Sequence, residues 1–353
     1  MYIGVDTHKR SHTLVLLDPT GQTIDTLTIA NTPEAWLTAL TWARPLATTR
    51  CWGIENSGSL GKGFAQFLLE QGEGEVREIT PHRTAQYRRR GRTQDKTDTA
   101  DALAMARLLL VEQTDLPAVQ RDDASTELRL LSDQRDNLVA ERTRLINQLH
   151  AQMLQIDPGY KERSGRLTAT RGVEYCRDLQ LPDAAPLIQT RLFIARQLAD
   201  QVLRLFADIA TLTRELTRRV KALGSPLQQL RGLGPLLIAR LLGELGSTLR
   251  LPSAAALAAL AGIAPLTVAS GGRAGHRVNR GGNRQLNRVF HLLAWCQRRW
   301  EPKAQTYYAK KRAEGKTERA ALRCLKRRLV DVVFRLLRPP VPTERAAEVA
   351  LAV

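Results

Sequence analysis

YIGVDTHKRSHTLVLLDPTGQTIDTLTIA, residues 2–30, is the stretch on which the fold turns. YIGV runs into Asp6, HTLVLL (12–17) follows, and Asp18-Pro19-Thr20-Gly21 supplies four turn formers in a row. TIDTLTIA (23–30) then alternates apolar and polar positions, as a half-buried strand does. This predicts a three-strand antiparallel meander. Asn31-Thr32-Pro33-Glu34 has the form of a helix entry with proline in the first turn. That helix should stop near Arg44, because Pro45 cannot continue it. CWGI (51–54), ending on Glu55, reads as a buried strand. SLGKGFAQFLLEQ (59–71) has helical spacing, EVREIT (75–80) reads as another strand, and DTADALAMARLLLVE (98–112) as a helix. A meander followed by alternating helices and strands predicts an α/β domain with a mixed sheet and helices on its faces.

The middle of the chain changes character. Leu128, Leu131, Leu138, Leu145, Leu149 and Met153 recur at helical spacing, as do Phe193, Ile194, Leu198, Val202, Leu205, Ile209, Leu212 and Leu216. Two long amphipathic helices are expected, 124–156 and 190–223, in an antiparallel or dimeric coiled coil. The stretch 157–189 between them mixes Pro, Gly and charge and gives no assignment. Beyond Pro226 a mainly helical domain is expected. LRGLGPLLIARLLGELG (230–246) reads as helix, glycine turn, helix, and SAAALAALAG (253–262) as a helix. SGGRAGHRVNRGGNRQ (270–285) reads as a basic, glycine-rich loop, QLNRVFHLLAWCQRRW (285–300) as an amphipathic helix, and 304–338 as a basic helix pair. Pro339, Pro340 and Pro342 open a loosely ordered tail. The expected division is 1–115, 116–225, 226–340 and a tail, 341–353.

The 353 residues are 43% hydrophobic and 25% charged, enough apolar material to exclude disorder throughout. The net charge of +18 is unevenly placed. Residues 1–225 carry 30 basic and 28 acidic side chains, whereas 226–353 carry 23 basic and 7 acidic. An excess concentrated in one third of a chain points to a polyanion, most commonly nucleic acid. The alternative, a basic surface kept for solubility, would spread the charge more evenly. Cys51, Cys176, Cys296 and Cys324 have no CxxC or Cys/His ligand spacing, so reduced thiols, a reducing compartment and no zinc are expected. MYIGVDTHKR carries acid and base early, unlike a signal peptide. The longest uncharged run, 251–272, is broken by Pro252, Gly262 and Pro265. It suits a buried helix pair better than a membrane span, and no membrane partner is expected.

Four carboxylates carry the chemistry. Asp6 ends the first strand, Glu55 ends a later one, and Asp98 and Asp101 lie three apart on one helix face. Two neighbouring strands and a helix crossing them can bring the four together, where they would repel unless cations sat among them. Two Mg²⁺ ions roughly 3.5–4 Å apart would satisfy them and suit phosphoryl transfer. Each acid alone has an ordinary explanation. Asp98 in particular can be read as a helix cap, with Asp101 supporting the first turn.

IGVDTHK (3–9), GIENSG (53–58) and KTDTADALAMARLL (96–109) resemble the N-terminal DEDD domain of bacterial insertion-sequence transposases. That domain has a RuvC-like, RNase H-type fold. The resemblance covers about residues 1–112 and implies that Asp6, Glu55, Asp98 and Asp101 bind Mg²⁺. Asp95 is a nearby extra acid, but the KTDTADA frame favours 98 and 101. Independently, AALAGIAPLTVASGGRAGHRVNRGGNRQLNRVFHLLA (258–294) resembles the C-terminal serine domain of the same transposases. There a serine that opens a basic loop becomes joined to DNA, and here it falls on Ser270. Relatives carry more serines where this chain has Gly271 and Gly272.

A serine hydroxyl is a weak nucleophile unless a base or metal activates it. Arg273, Arg277 and Arg280 could neutralise phosphate oxygens, and the two glycines allow close backbone approach. No base stands beside Ser270 in sequence. His276, six residues on, is a candidate, although a lone histidine is more often structural. Without the resemblance, Ser270 reads as a turn or cap serine. The resemblance implies that metal from the N-terminal domain, of the same or a partner subunit, completes the site.

Several basic stretches are candidate nucleic-acid contacts. HRTAQYRRRGR (82–92) holds Arg88, Arg89, Arg90 and Arg92 with Tyr87 among them, a flexible basic segment with a ring that could stack on a base. Gly232-Leu233-Gly234 resembles the turn of a helix-hairpin-helix, which presents backbone N–H groups to a phosphate. Arg284, Lys326 and Arg327 extend the basic track on later helices. The plain alternatives are solvated charge and an ordinary helix–helix turn. Contacts of this kind confer affinity without sequence choice, and no base-reading module is visible. Members of the resembled family take their specificity from a bridge RNA, encoded by their own element, that pairs with target and donor DNA. The resemblance thus implies a guide RNA partner, a homo-oligomer (a dimer or a tetramer) and action in the bacterial cytoplasm. Competing readings are a RuvC-like junction-resolving nuclease with a dispensable Ser270, an actin-like sugar kinase, whose first phosphate loop residues 3–21 also resemble, and a nonenzymatic scaffold.

Overall fold

Strands β1 (Tyr2–Thr7), β2 (Ser11–Leu17) and β3 (Thr23–Ala30) form the meander, with β4 (Cys51–Glu55) and β5 (Glu75–Ile79) parallel to β1. The sheet order is β3-β2-β1-β4-β5, that of an RNase H-type α/β domain. The computed structural model describes residues 1–46, 48–90, 97–246, 251–270, 273–279 and 281–338, with backbone alone at 88, 90, 267–270, 273–276 and 278. It divides into two compact units, Met1–Asp122 and Asp123–Val353. The tail 341–353 lies outside the described residues.

In the first unit, strand alternation sends Ile3, Val5, Trp52 and Ile54 to one face. There they meet Leu40 of α1 (Pro33–Ala43) and Phe64 and Leu68 of α2 (Lys62–Glu70). Thr32 caps α1 and Pro33 opens it, as the sequence predicts. Residues 81–90, expected as a flexible segment, are instead a helix, α3 (Pro81–Arg90). The opposite face of the sheet receives α4 (Asp98–Glu112) through Ala102, Met105, Ala106 and Leu109. Its close approach depends on glycine. Gly4 and Gly53 are register partners on β1 and β4. A Cβ on Gly4 would stand 2.1 Å from the Ala102 carbonyl oxygen, and one on Gly53 2.7 Å from a Leu109 methyl carbon.

The second unit begins with α5 (Ala124–Ile156), capped by Asp123. Two short helices, α6 (Tyr160–Ser164) and α7 (Thr170–Asp178), fill the previously unassigned stretch, and α8 (Pro186–Ala222) returns antiparallel to α5. Arg135 Nε donates to Thr213 Oγ1 at 3.0 Å, and Arg191 donates to Gln152 at 3.0 Å. Arg219 pairs with Glu127, so the two chains of contacts run in opposite senses.

Segment 230–246 holds one helix, α9 (Pro235–Leu245), not two. A single 3-10 turn, Pro226–Gln229, takes the place of the first, because Pro235 and the positive φ of Gly232 keep the intervening residues non-helical. Helix α10 (Ala254–Leu260) is followed by two antiparallel strands, β6 (Pro265–Ser270) and β7 (Arg273–Val278). The uncharged run is therefore one helix and a strand, and the expected basic loop is largely a hairpin. Helices α11 (Arg284–Trp300), α12 (Pro302–Ala313) and α13 (Glu318–Leu337) complete the unit. Leu286, Phe290 and Leu293 of α11 share a core with Leu128, Leu216 and Val330. All four cysteines are free thiols. Among the described residues, no helix is long and apolar enough to cross a membrane.

Candidate active site

Period-two alternation puts Tyr2, Gly4 and Asp6 of β1, and Cys51, Gly53 and Glu55 of β4, on the face that receives α4. The strands are parallel and Val5 is the register partner of Ile54, so Asp6 and Glu55 stand side by side one step further on. There β4 ends, and Asn56 turns the chain with φ at 52°, a conformation asparagine tolerates better than most residues. The Thr7 hydroxyl donates to the Glu55 carbonyl at 2.8 Å and ties the two strand ends together.

Helix α4 brings the other two acids. Its N-cap is Thr97, whose hydroxyl accepts from the Ala100 N–H at 3.1 Å. Asp98 is therefore not the cap, and its carboxylate faces the site. His8 Nε2 lies 3.1 Å from Asp6 Oδ2 and 3.2 Å from Asp98 Oδ1. Asp6 is buried, while Asp98 is exposed.

The acids feel one another. Burial pushes the Asp6 carboxyl above its ordinary range, and the charges of Asp101 and Asp98 push the same way against the opposing pull of His8. Glu55 is also raised, first by burial, then by Asp6 and Asp101, with the Thr84 hydroxyl and His8 opposing. Burial alone would lower His8, but Asp6 and Asp98 outweigh it and hold the imidazole above its usual value. A divalent cation would relieve this repulsion. Donor atoms of Asp6, His8 and Asp98 lie within 4.8 Å of one another, close enough to share an ion. A mainly carboxylate donor set suits a hard cation.

His8 is the residue that sequence reasoning missed. It stands two positions after Asp6, and that spacing at the strand end was the available signal. Thr84 was missed because 81–90 was not seen as a helix. Tyr87 must be corrected: its hydroxyl donates to Glu112 Oε1 at 2.6 Å and its half-buried side chain packs against the core cluster that includes Met105 and Leu109, so it is not a mobile stacking platform. Glu112 also pairs with Arg83.

The remaining candidates divide by place. Arg89 is exposed on α3, Arg88 and Arg90 are described by backbone alone, and Arg92 lies outside the described residues. In the second unit, Ser270 ends β6 opposite Arg273 at the closed end of the hairpin. Arg277 and Arg284 are exposed, and Arg280 lies outside the described residues. Gly234 caps α9, whereas the bare Cα of Gly232 faces α11, where a Cβ would stand 2.7 Å from Cys296 Cβ. That glycine is explained by helix packing. Lys326 is buried and donates to Asn287 Oδ1 at 2.7 Å, and Arg327 pairs with Asp331 at 2.6 Å.

An RNase H-type sheet with its acids gathered where β1, β4 and α4 meet defines the class, a DEDD-type domain. The sequence matches a DEDD model described as transposase over residues 3–158, and the model of the Transposase IS116/IS110/IS902 family over residues 224–309. The 44.8 kDa protein of insertion element IS116 from Streptomyces clavuligerus is 29% identical across 96% of this chain and 94% of its own length. The 43.6 kDa protein of IS110 from Streptomyces coelicolor is 30% identical across 69% and 71%. The 42 kDa protein of IS900 from Mycobacterium paratuberculosis is 27% identical across 96% of both. The chain belongs to the IS110/IS116 family of insertion-element transposases, enzymes that cleave and recombine DNA. Membership sets aside the sugar-kinase and scaffold readings.

Proposed function

We propose that the chain carries out Mg²⁺-dependent DNA cleavage and strand exchange with a serine nucleophile, guided by an RNA that its own element encodes. The observation that carries this reading is the gathering of acids at the ends of the central strands β1 and β4 and the start of α4, where His8 Nε2 lies 3.1 Å from Asp6 and 3.2 Å from Asp98, with Glu55 beside Asp6 in register. Two Mg²⁺ ions held there would polarise phosphate oxygens. Ser270 Oγ would form a bond to phosphorus as one P–O bond of the strand breaks and a hydroxyl strand end takes the proton. Attack by a hydroxyl end on the serine phosphodiester then restores both the serine and the DNA backbone, with no high-energy cofactor consumed.

Three functional regions are assigned: the DEDD domain (1–115), a coiled-coil region for homo-oligomerisation (116–225) and the serine domain (226–340). Arg88, Arg89, Arg90, Arg92, Arg273, Arg277, Arg280, Arg284, Lys326 and Arg327, with the N-terminus of α9 at Gly234, supply contacts to nucleic-acid backbone. Contacts of this type leave sequence choice to base pairing. Target and donor DNA are the substrates, in the cytoplasm. The testing experiment is expression with the native flanking DNA and sequencing of the RNA that copurifies. A single structured RNA matching the element's junctions supports guidance, and bulk cellular RNA alone refutes it. With that RNA in hand, Ser270→Ala and Asp98→Ala should each abolish strand exchange. Retained exchange in Ser270→Ala would instead favour a junction-resolving nuclease.

A further inference from the structure

A cavity of about 1160 Å³ opens at the base of the β6–β7 hairpin, walled by α11, α12 and α13. Its cations include Arg277, Arg284, Arg323, Lys326 and Arg328, against the single lining carboxylate of Asp331. Asp331 is already paired with Arg327 at 2.6 Å. Among the described residues, Arg277, Arg284, Arg323 and Arg328 have no carboxylate in ion-pairing range. Lys326 stands with Asn287 in the cavity wall, and burial, reinforced by the charges of Arg284 and Arg323, holds its ammonium down to about 8. Like charges so gathered are the mirror image of the acidic site: here an anion would relieve the repulsion.

Geometry narrows which anion. The volume lies just above the roughly 300–1,000 Å³ of small-molecule pockets, enough for a short piece of one strand. A cavity of this volume is narrower than a duplex, whose major groove alone is about 12 Å wide, so one strand can enter it and two cannot. Tyr307 on the wall holds the Lys311 ammonium 5.5 Å from its ring centroid, which keeps one more cation at the cavity. Asn279 and Asn287, which could read a ribose 2′-hydroxyl, are engaged internally. Asn279 accepts from the Gly281 N–H at 2.9 Å, and Asn287 donates to the Ala261 carbonyl at 2.8 Å while accepting from Lys326. The lining therefore recognises charge and leaves the sugar unread. Pro265 and Arg277 belong to both the hairpin and the cavity wall, and Ser270 stands five residues up β6, about 17 Å along an extended strand.

We propose that this cavity seats the phosphates of a single DNA strand a few nucleotides from the phosphate attacked by Ser270. The proposal rests on the strand-exchange reading above. Its test uses the full chain with a fluorescein-labelled 12-nucleotide single-stranded DNA, the matching duplex and the matching RNA. Arg323→Glu combined with Arg328→Glu changes two exposed side chains of α13, and thermal melting checks that the variant folds. The double variant should bind single-stranded DNA at least tenfold more weakly. The slope of log affinity against log salt should shrink by about 1.4, two phosphates at about 0.7 each. Duplex binding should change less than threefold. Unchanged single-strand binding, or equal loss for strand and duplex, would overturn the proposal, as would a tenfold larger loss of RNA binding than of single-stranded DNA binding in the double variant. If the wild-type chain bound only duplex, this cavity assignment would fail while the transposase reading stood.

Discussion

Asp6 shows how one residue can be costly to the fold and necessary to the site. Its carboxylate is buried beside Asp98 and Asp101, and both burial and like charge disfavour its ionised form. Mg²⁺ should therefore raise the melting temperature of the wild-type chain. At a hundred times the dissociation constant, linkage predicts about 2.7 kcal/mol. Asp6→Asn should lose that response and be no less stable than wild type in chelator, which differential scanning fluorimetry would read. An undiminished Mg²⁺ response in the variant would remove Asp6 from the metal site. Lys326 poses the opposite problem. Its folded value of about 8 lies below that of a free lysine, so the folded chain sheds this proton before the unfolded chain does. The cost of the buried charge is present in full below about pH 8 and is relieved as pH rises toward about 10.4. Denaturant unfolding should show wild type gaining stability over Lys326→Met across that window, and parallel curves would contradict the assignment.

At the scale of elements, α4 is positioned by what the sheet lacks. Gly4 and Gly53 leave a bare strip across β1 and β4, and the helix backbone lies directly on it. Gly4→Ala would push a methyl into the Ala102 carbonyl and the Ala106 amide, backbone atoms that cannot rotate away. Overpacking of this kind costs about 1–3 kcal/mol or more, and it lifts the helix end that carries Asp98 and Asp101. A lower unfolding midpoint together with lost DNA cleavage is expected, and wild-type values for both would refute the account. Such an effect is hard to read from the chain alone. The strands and α4 were legible because their apolar periods are clean. Residues 81–90 hid their helix because charge dominates them, and among the described side chains Thr84 alone is fully buried. The 265–278 hairpin hid because its glycines and arginines carry no alternating apolar signal.

At the scale of the whole molecule, charge divides the labour. The acidic site belongs to a first unit of nearly balanced charge, whereas residues 226–353 carry 23 basic against 7 acidic side chains. DNA binding by the full chain should weaken steeply with salt, with a log–log slope of about −0.9 for each duplex phosphate neutralised. Fluorescence anisotropy across a salt series checks this, and a slope near zero would mean that the basic third is a solvated surface.

The succession of strands along the chain, the two long amphipathic helices, the four acids and the placement of charge were all determined by the sequence itself. Each is written in local periods or in residue identity, which need no knowledge of distant contacts. Tertiary structure alone decided three further matters. It placed His8 between Asp6 and Asp98, it freed Asp98 from capping by giving that task to Thr97, and it gathered Arg277, Arg284, Arg323 and Lys326 around one cavity. The physical reason is common to all three: burial and through-space charge depend on which elements meet, and residues as far apart in sequence as His8 and Asp98 become neighbours only when the chain has packed.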